Sequence, residues 1–114
     1  SGNADVMESM EEVLEEVGRV LSEGRFSKID IEGHTDDVPI KTARFPSNWE
    51  LSASRATAVG RALLSLHPID PQTLRPSGFG DTRPAIALDG EEAASMDISE
   101  VRARNRRVVI YAQY

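Results

Sequence analysis

Hydrophobic residues near the N-terminus recur at steps of three and four, which is the spacing of one helix face. The glutamates of this segment fall on the opposite face. Asp5 followed by Glu8 has the form of a capping box, and Gly24 is a suitable C-terminal stop. The pattern predicts an amphipathic first helix between these signals, with a buried stripe formed by Val6, Met10, Val13, Val17 and either Val20 or Leu21.

Strict alternation at residues 28–32 predicts a strand with one face on a core and the other in water, ended by Gly33. Ser47 and Glu50 form a second capping box, so a helix is expected to start there and to end before Pro68. Its predicted buried stripe is Ser52, Ala56, Val59, Leu63 and Leu66.

The last third of the chain predicts two more strands. One runs from Leu74 to Gly80, and Pro76 within it disfavours a central place in a sheet. Residues 81–98 form an irregular excursion with one helical turn at 91–95, followed by a short helix at 99–104. The final strand is predicted at 106–112.

This order of elements predicts an α+β fold in which helices pack on one face of a small mixed β-sheet, with the other face open to water. The chain has 114 residues and no cysteine. We expect residues 1–114 to form a single domain that folds without a metal or a disulfide. The absence of cysteine also excludes thiolate catalysis and cysteine zinc sites.

The net charge of −6 is concentrated in residues 1–23, which hold seven acids and one base. This run is interpreted as a solvated helix face. The remaining residues are balanced, so nothing in the charge supports nucleic-acid binding. No apolar run approaches the roughly 20 residues needed to span a bilayer. Any export signal or membrane helix of the natural protein is therefore expected outside these residues.

The start of the second helix carries the most suggestive chemistry. Asn48, either Leu51 or Ser52, and Arg55 share one helix face. Arg55 leans toward the helix N-terminus, where unpaired backbone N–H groups favour an anion. Asp36, at the end of a strand, supplies the opposite charge. The pair fits a small zwitterionic ligand, and it fits equally well a structural Asp36–Arg55 salt bridge with Asn48 as a helix cap.

Other chemistries are less well supported. His34, Asp36 and Asp37 suggest a metal, but no second histidine is near, so no metal site is predicted. Thr35 and Ser52 are the obvious nucleophiles for a hydrolase, and neither has a nucleophile-elbow pattern. His34 is interpreted as a structural residue that hydrogen-bonds the loop.

Two further features have structural and functional interpretations. Trp49 is expected to pack on the 40–46 loop rather than to offer a platform for a sugar. Asn105, Arg106 and Arg107 form a basic segment that could contact nucleic acid. We favour a role for Arg106 or Arg107 in supporting the loops of the site or solvating the strand edge.

Four ordered motifs resemble the OmpA-like peptidoglycan-binding domain over nearly the whole chain: Gly33-His34-Thr35-Asp36, Asn48-x-x-Leu51-Ser52-x-x-Arg55-Ala56, Gly78-Phe79-Gly80-Asp81 with Pro84, and Asn105-Arg106-Arg107-Val108. The resemblance implies a βαβαβ-type sandwich. Ser1 to Ala4 resembles the turn after the first strand of that fold, which is then expected upstream of residue 1.

The long spacing from Asp36 to Asn48 is similar to that of one branch of the family, the stator B subunits of the flagellar motor. The segments 37–40 and 47–51 also resemble that branch. This implies a non-catalytic periplasmic domain of an inner-membrane protein of a Gram-negative bacterium, which anchors a motor stator to the cell wall. The implied partners are peptidoglycan, a second copy of the chain and a channel-forming stator protein reached through a membrane helix outside these residues.

An OmpA/Pal-type tether of the outer membrane that binds the same ligand is the alternative, and a cell-wall hydrolase is less favoured. The family's ligand is the peptide stem of peptidoglycan, usually through meso-diaminopimelate. The resemblance implies that Asp36 binds its ammonium, while Arg55 and the backbone near Leu51 bind its carboxylate. Asn48 then holds the loop or contacts the ligand, Arg106 lines the site, and Thr35 belongs to the same set. No cofactor is implied.

Two positions depart from the family pattern. Ile98 stands near the place where the family often has a helix-capping threonine, and the 81–98 excursion is longer than in the lipoproteins of the family.

Overall fold

A computed structural model describes the backbone of residues 2–114 and the side chains of residues 11–114. Helices and strands alternate as predicted, and the α+β fold is confirmed. The elements are α1 (Gly2–Glu23), β1 (Lys28–His34), α2 (Asn48–Leu66), a short 3-10 helix (Pro71–Thr73), β2 (Leu74–Gly78), α3 (Glu91–Ala94), α4 (Ile98–Asn105) and β3 (Arg107–Gln113). Within the described residues, no helix has the length and apolar character needed to cross a membrane.

The three strands form a mixed sheet in the order β2-β1-β3. Strand β2 runs parallel to β1, and β3 runs antiparallel to it. Pro76 therefore lies in an edge strand, where its missing N–H group costs no ladder hydrogen bond. Ile29 and Ile31 of β1 are buried in the core, whereas Asp30 and Glu32 on the other face are partly exposed. The alternation in the sequence thus identified both faces of the central strand.

Helix α2 approaches the sheet most closely where β1 and β2 end. A Cβ atom on Gly33 would lie 2.1 Å from the backbone oxygen of Ser52, and one on Gly78 would lie 2.4 Å from the backbone nitrogen of Ala53. Only glycine fits at these two positions, since both neighbours are backbone atoms. The contact brings the first turns of α2 beside the loop that leaves β1.

The buried face of α1 agrees with the predicted stripe at Val17 and at Leu21, which is buried rather than its alternative Val20, and departs from the prediction at Val13. Leu14 and Leu21 are buried, whereas Val13 and Val20 are 57% and 51% exposed and line an apolar groove beside β3. The side chains of Val6 and Met10 lie outside the described residues. A contact with the end of α2 accompanies this orientation. The His67 ring fills the space beside Gly18, and its Nε2 atom lies 2.7 Å from the backbone oxygen of Glu15.

Several predicted boundaries were wrong. Helix α1 begins at Gly2 rather than at the Asp5 capping box, so Gly2 to Ala4 are helical and not a turn. Ser1 lies outside the described residues. Leu66, assigned to the buried stripe of α2, is 43% exposed. Strand β2 stops at Gly78, and Gly80 then turns the chain with a φ of 59°.

Candidate functional site

A cleft of about 280 Å³ opens between the β1–α2 loop, the start of α2 and the end of α4. It is lined by Thr35, Asp36, Val38, Pro39, Ile40, Asn48, Leu51, Arg55 and Arg106. All six residues that the sequence analysis assigned to ligand binding are in this set. The fold therefore gathers residues from positions 35 to 106 into one small space.

Asp36 is held by its own loop. Its Oδ1 atom accepts a hydrogen bond of 3.0 Å from the backbone N–H of Val38, which closes a tight turn. The buried Thr35 donates its hydroxyl to the backbone oxygen of Asp36 at 2.9 Å, and its N–H bonds Gly80 at 2.9 Å. Both strands that end here thus fix the backbone that presents the carboxylate.

Asn48 holds the β1–α2 loop by hydrogen bonds and is not the N-cap of α2. The cap is Ser47, which has extended backbone angles and accepts a hydrogen bond of 3.2 Å from Trp49 N–H. The Asn48 amide donates to the backbone oxygen of Val38 at 3.2 Å and, at 3.5 Å, to that of Asp36. It therefore connects the first turn of α2 to the residues that flank the carboxylate.

The Asp36–Arg55 salt bridge considered from the sequence does not form. Oδ2 of Asp36 instead lies 2.7 Å from Nη1 of Arg106. Arg55 is exposed at the cleft and has no salt bridge among residues 11–114, whose side chains are described. The cleft thus presents a carboxylate with an internal counter-ion and, apart from it, the exposed guanidinium-bearing side chain of Arg55.

A second ion pair beside the cleft was not anticipated. Arg102 of α4 binds Asp37 through two hydrogen bonds, with Nε–Oδ1 at 2.8 Å and Nη2–Oδ2 at 3.2 Å. This guanidinium lowers the pKa of the Asp37 carboxyl, and the same contact raises the pKa of Arg102. One feature of the sequence could have indicated this pair. Arg102 and Arg106 are four residues apart, which is the spacing of neighbours on one helix face.

His34 is buried on the other side of the sheet from α2. Its Nε2 atom lies 3.2 Å from the carboxylate of Glu32, so it bonds its own strand and not the loop as predicted. Its ring stacks on Phe79 with centroids 5.4 Å apart, and burial lowers the pKa of the imidazole. No cluster of metal-ligating side chains occurs in the part of the chain that the structure describes.

Ser52 and Trp49 both have contacts at Gly80. The buried Ser52 hydroxyl donates to the backbone oxygen of Trp49 at 3.0 Å and accepts from Gly80 N–H at 2.9 Å, so it is engaged in packing α2 on the sheet. The Trp49 ring lies beside the Gly80 backbone and remains 54% exposed.

Asn105 buries its amide against the 81–98 excursion. Its side chain bonds both the N–H of Ile86, at 2.9 Å, and the carbonyl of Ile86, at 3.1 Å. This residue therefore fixes the end of α4, which carries Arg102 and is followed by Arg106, to the preceding loop.

Comparisons with known proteins agree on one family. The OmpA family model matches residues 1–97. Motility protein B of Escherichia coli K12 is 43% identical over 100 residues, 87% of this chain and 32% of that protein. Motility protein B of Bacillus subtilis is 32% identical over 110 residues, 96% of this chain and 39% of that protein. The chain thus spans about a third of the length of these curated relatives.

Among solved structures, the C-terminal domain of Helicobacter pylori MotB superposes with a TM-score of 0.76 at 30% identity, covering 93% of this chain and 74% of that one. A second match is the structure described as the cell wall anchor of the T6SS from Pseudomonas aeruginosa. Its TM-score is 0.71 at 33% identity, over 90% of this chain and 66% of that one.

Proposed function

The chain belongs to the OmpA family, and from that premise we propose that it binds cell-wall peptidoglycan without cleaving it and anchors a flagellar motor stator to the wall. The observation that carries the proposal is the joint lining of one cleft by Asp36 and Arg55, beside the N-terminus of α2. Relatives named motility protein B and the neighbouring structure described as a cell wall anchor support the same role.

The charges of the cleft match a ligand group that ends in an ammonium and a carboxylate, as the side chain of meso-diaminopimelate does. The carboxylate binds the Arg55 guanidinium, near Leu51 and at the positive end of the α2 dipole. The N–H groups of Trp49 and Leu51 already bond oxygens of Ser47, so these residues act through the dipole and not as free donors. The ammonium binds Asp36. Thr35 and Asn48 hold the loop on which Asp36 stands and so orient its carboxylate.

In this proposal the ligand ammonium displaces Arg106 from Asp36. It occupies Oδ2 of Asp36 in the structure described here, with a side chain that is 44% exposed, while that of Asp36 is only 14% exposed. An incoming ammonium replaces the guanidinium on Asp36. The displaced arginine remains at the rim of the cleft, where its charge favours the ligand carboxylate.

Binding at one cleft is weak and is strengthened by multivalency. Each charge-assisted hydrogen bond contributes roughly 1.5–3 kcal/mol, and association itself costs several kcal/mol. A homodimer gains avidity on a polymer that repeats the ligand along its length. In this proposal residues 1–114 are one domain, held in the periplasm by a membrane helix outside them, through which a channel-forming stator partner is reached.

A tether of the outer membrane that binds the same ligand is the second candidate, and the neighbouring structure described as the cell wall anchor of the T6SS supports a use of this fold in wall anchors other than motor stators. Both candidates use the same ligand cleft. Copurification of the full-length protein with a channel-forming inner-membrane partner distinguishes the stator from the tether.

Incubation of the purified chain with isolated sacculi tests the proposed function. We expect the protein to sediment with the sacculi and the supernatant to contain no released muropeptides. Failure to sediment contradicts wall binding, and the release of soluble fragments contradicts the non-catalytic role.

A further inference from the structure

We propose that Asp37 and Arg102 form a positioning pair that fixes the ligand-binding carboxylate of Asp36, although neither residue lines the cleft. The inference rests on the proposed function, because it concerns the same site. Arg102 grips Asp37 with both ends of its guanidinium fork, at 2.8 and 3.2 Å. A bidentate contact of this kind restricts orientation as well as distance.

The β1–α2 loop needs an external support. Between the end of β1 and the start of α2, residues 35–47 form no helix or strand. The Asn48 amide holds the backbone at Asp36 and Val38 from the α2 side. The Asp37–Arg102 pair holds the residue between them from the α4 side. The backbone that carries Asp36 is thus clamped between two helices.

Helix α4 is firm enough to serve as that support. Val101 is 1% exposed, and the buried Asn105 makes two hydrogen bonds to Ile86. Residues 101 and 105 therefore face the interior while Arg102 faces the loop, as helical spacing requires. Arg106, directly after the helix, also contacts the loop through Asp36. In this proposal the long 81–98 excursion has a structural role. Its residue Ile86 holds α4 in place, and α4 in turn positions the Asp36 carboxylate.

The pair also separates two neighbouring carboxylates. Asp36 and Asp37 are adjacent, and each could attract the same guanidinium or the ligand ammonium. Arg102 holds Asp37 outside the cleft, so that Arg106 is directed to Asp36. Loss of Arg102 leaves Asp37 to compete for Arg106 and for the ligand, which weakens binding at Asp36.

Four variants test the proposal by titration with a soluble muropeptide that contains meso-diaminopimelate: Asp37→Asn, Arg102→Gln, the double variant and the reversed pair Asp37→Arg with Arg102→Asp. We expect each single variant to weaken binding by a similar factor, roughly threefold to tenfold, and the double variant to be no worse than either. The reversed pair restores most of the affinity.

This pattern separates positioning from a simple effect of net charge. The two single variants change the net charge near the cleft in opposite directions. An effect of net charge alone therefore predicts that one variant raises the affinity and the other lowers it, and that the two changes add in the double variant. Asp89→Asn and Arg104→Gln are matched controls, because both residues are exposed. Thermal unfolding is expected to change little, since the Asp37 and Arg102 side chains are 30% and 34% exposed.

Arg102→Lys gives a second measurement, because it keeps the charge and removes the bidentate fork; we expect an affinity between those of the native chain and Arg102→Gln. Unchanged binding in Asp37→Asn and Arg102→Gln overturns the inference, as do opposite shifts or a reversed pair that folds without regaining affinity. If the native chain itself fails to bind the muropeptide, the proposed function is contradicted instead.

Discussion

Asp36 and Arg106 are joined by a 2.7 Å ion pair across 70 residues of sequence, and this pair forms instead of the Asp36–Arg55 salt bridge that the sequence left open as an alternative. The carboxylate therefore has an internal counter-ion, and the helix N-terminus keeps an exposed guanidinium. A site built in this way is already neutralised at its more buried charge. The ion pair with Arg106 offsets the desolvation cost of the Asp36 carboxylate in the protein without ligand.

Gly33→Ala is expected to destabilise the fold by at least about 2–3 kcal/mol, because a Cβ atom there would lie 2.1 Å from the backbone oxygen of Ser52. Urea unfolding of the variant and the native chain measures the change. Gly60→Ala is the control. Its new Cβ would meet only the tips of two side chains, Ile31 at 3.3 Å and Leu74 at 3.9 Å, so a change within about 1 kcal/mol is expected. Equal effects of the two substitutions would contradict the close contact of α2 with β1.

Ser52→Ala is expected to lower the free energy of unfolding by about 1–3 kcal/mol, since it leaves the buried N–H of Gly80 without an acceptor. Ser65→Ala, on the same helix, removes only an exposed hydroxyl bond to Ala62, so a loss of less than about 0.5 kcal/mol is expected. Denaturant titration of both variants provides the comparison. A Ser52→Ala variant as stable as the control would show that this hydroxyl does not support the turn at Gly80.

Stability is expected to fall as the pH decreases below about 6.5, the ordinary pKa of histidine, because burial lowers the pKa of His34 in the folded chain. Between the two pKa values the unfolded chain binds more protons than the folded one, so acidification favours unfolding. His34→Phe keeps an aromatic ring on Phe79 and removes the titrating group. Urea midpoints at pH 5 and pH 7 should then differ less than in the native chain; an unchanged difference would assign the effect to another group.

Salt is expected to weaken binding to sacculi. Both proposed contacts with the ligand are ionic, and Arg55 is exposed at the cleft. Raising the ionic strength from 0.1 M to 1 M shortens the screening length from about 10 Å to about 3 Å. Cosedimentation across this series should decline steadily. Binding that is indifferent to salt would point to apolar contacts instead.

Local sequence signals predicted the elements that frame the cleft. The capping box at Ser47 located the start of α2, and the alternation of β1 identified its buried face. These signals depend on interactions within a few residues, which a sequence displays directly. Six of the nine residues that line the cleft were named from the sequence, partly from helix geometry and partly from the resemblance to a family.

Such local signals could not predict which side chains far apart in the sequence contact each other. The valines and leucines of α1 allow two neighbouring stripes, and the contact of His67 with Glu15, 52 residues away, accompanies the one that is buried. The partners of Asp36 and Asp37 come from α4 and from the residue that follows it, and nothing near either aspartate indicates which arginine it binds. Asn105 resembled part of a basic segment until its contacts with Ile86 were known.

The central claim is that Asp36 and Arg55 together clamp a zwitterion. Calorimetric titration with two muropeptides that differ only in their third residue, meso-diaminopimelate or lysine, tests it most directly, because lysine lacks the terminal carboxylate. Arg61→Gln and Asp89→Asn are matched controls on exposed residues away from the cleft.

We expect the native chain and both controls to prefer the diaminopimelate peptide. Arg55→Gln should lose that preference, and Asp36→Asn should weaken binding of both peptides, each by roughly 10-fold or more, in line with the loss of one charge-assisted contact. Retention of native affinity and preference in Arg55→Gln and Asp36→Asn, with both variants folded, would contradict the clamp.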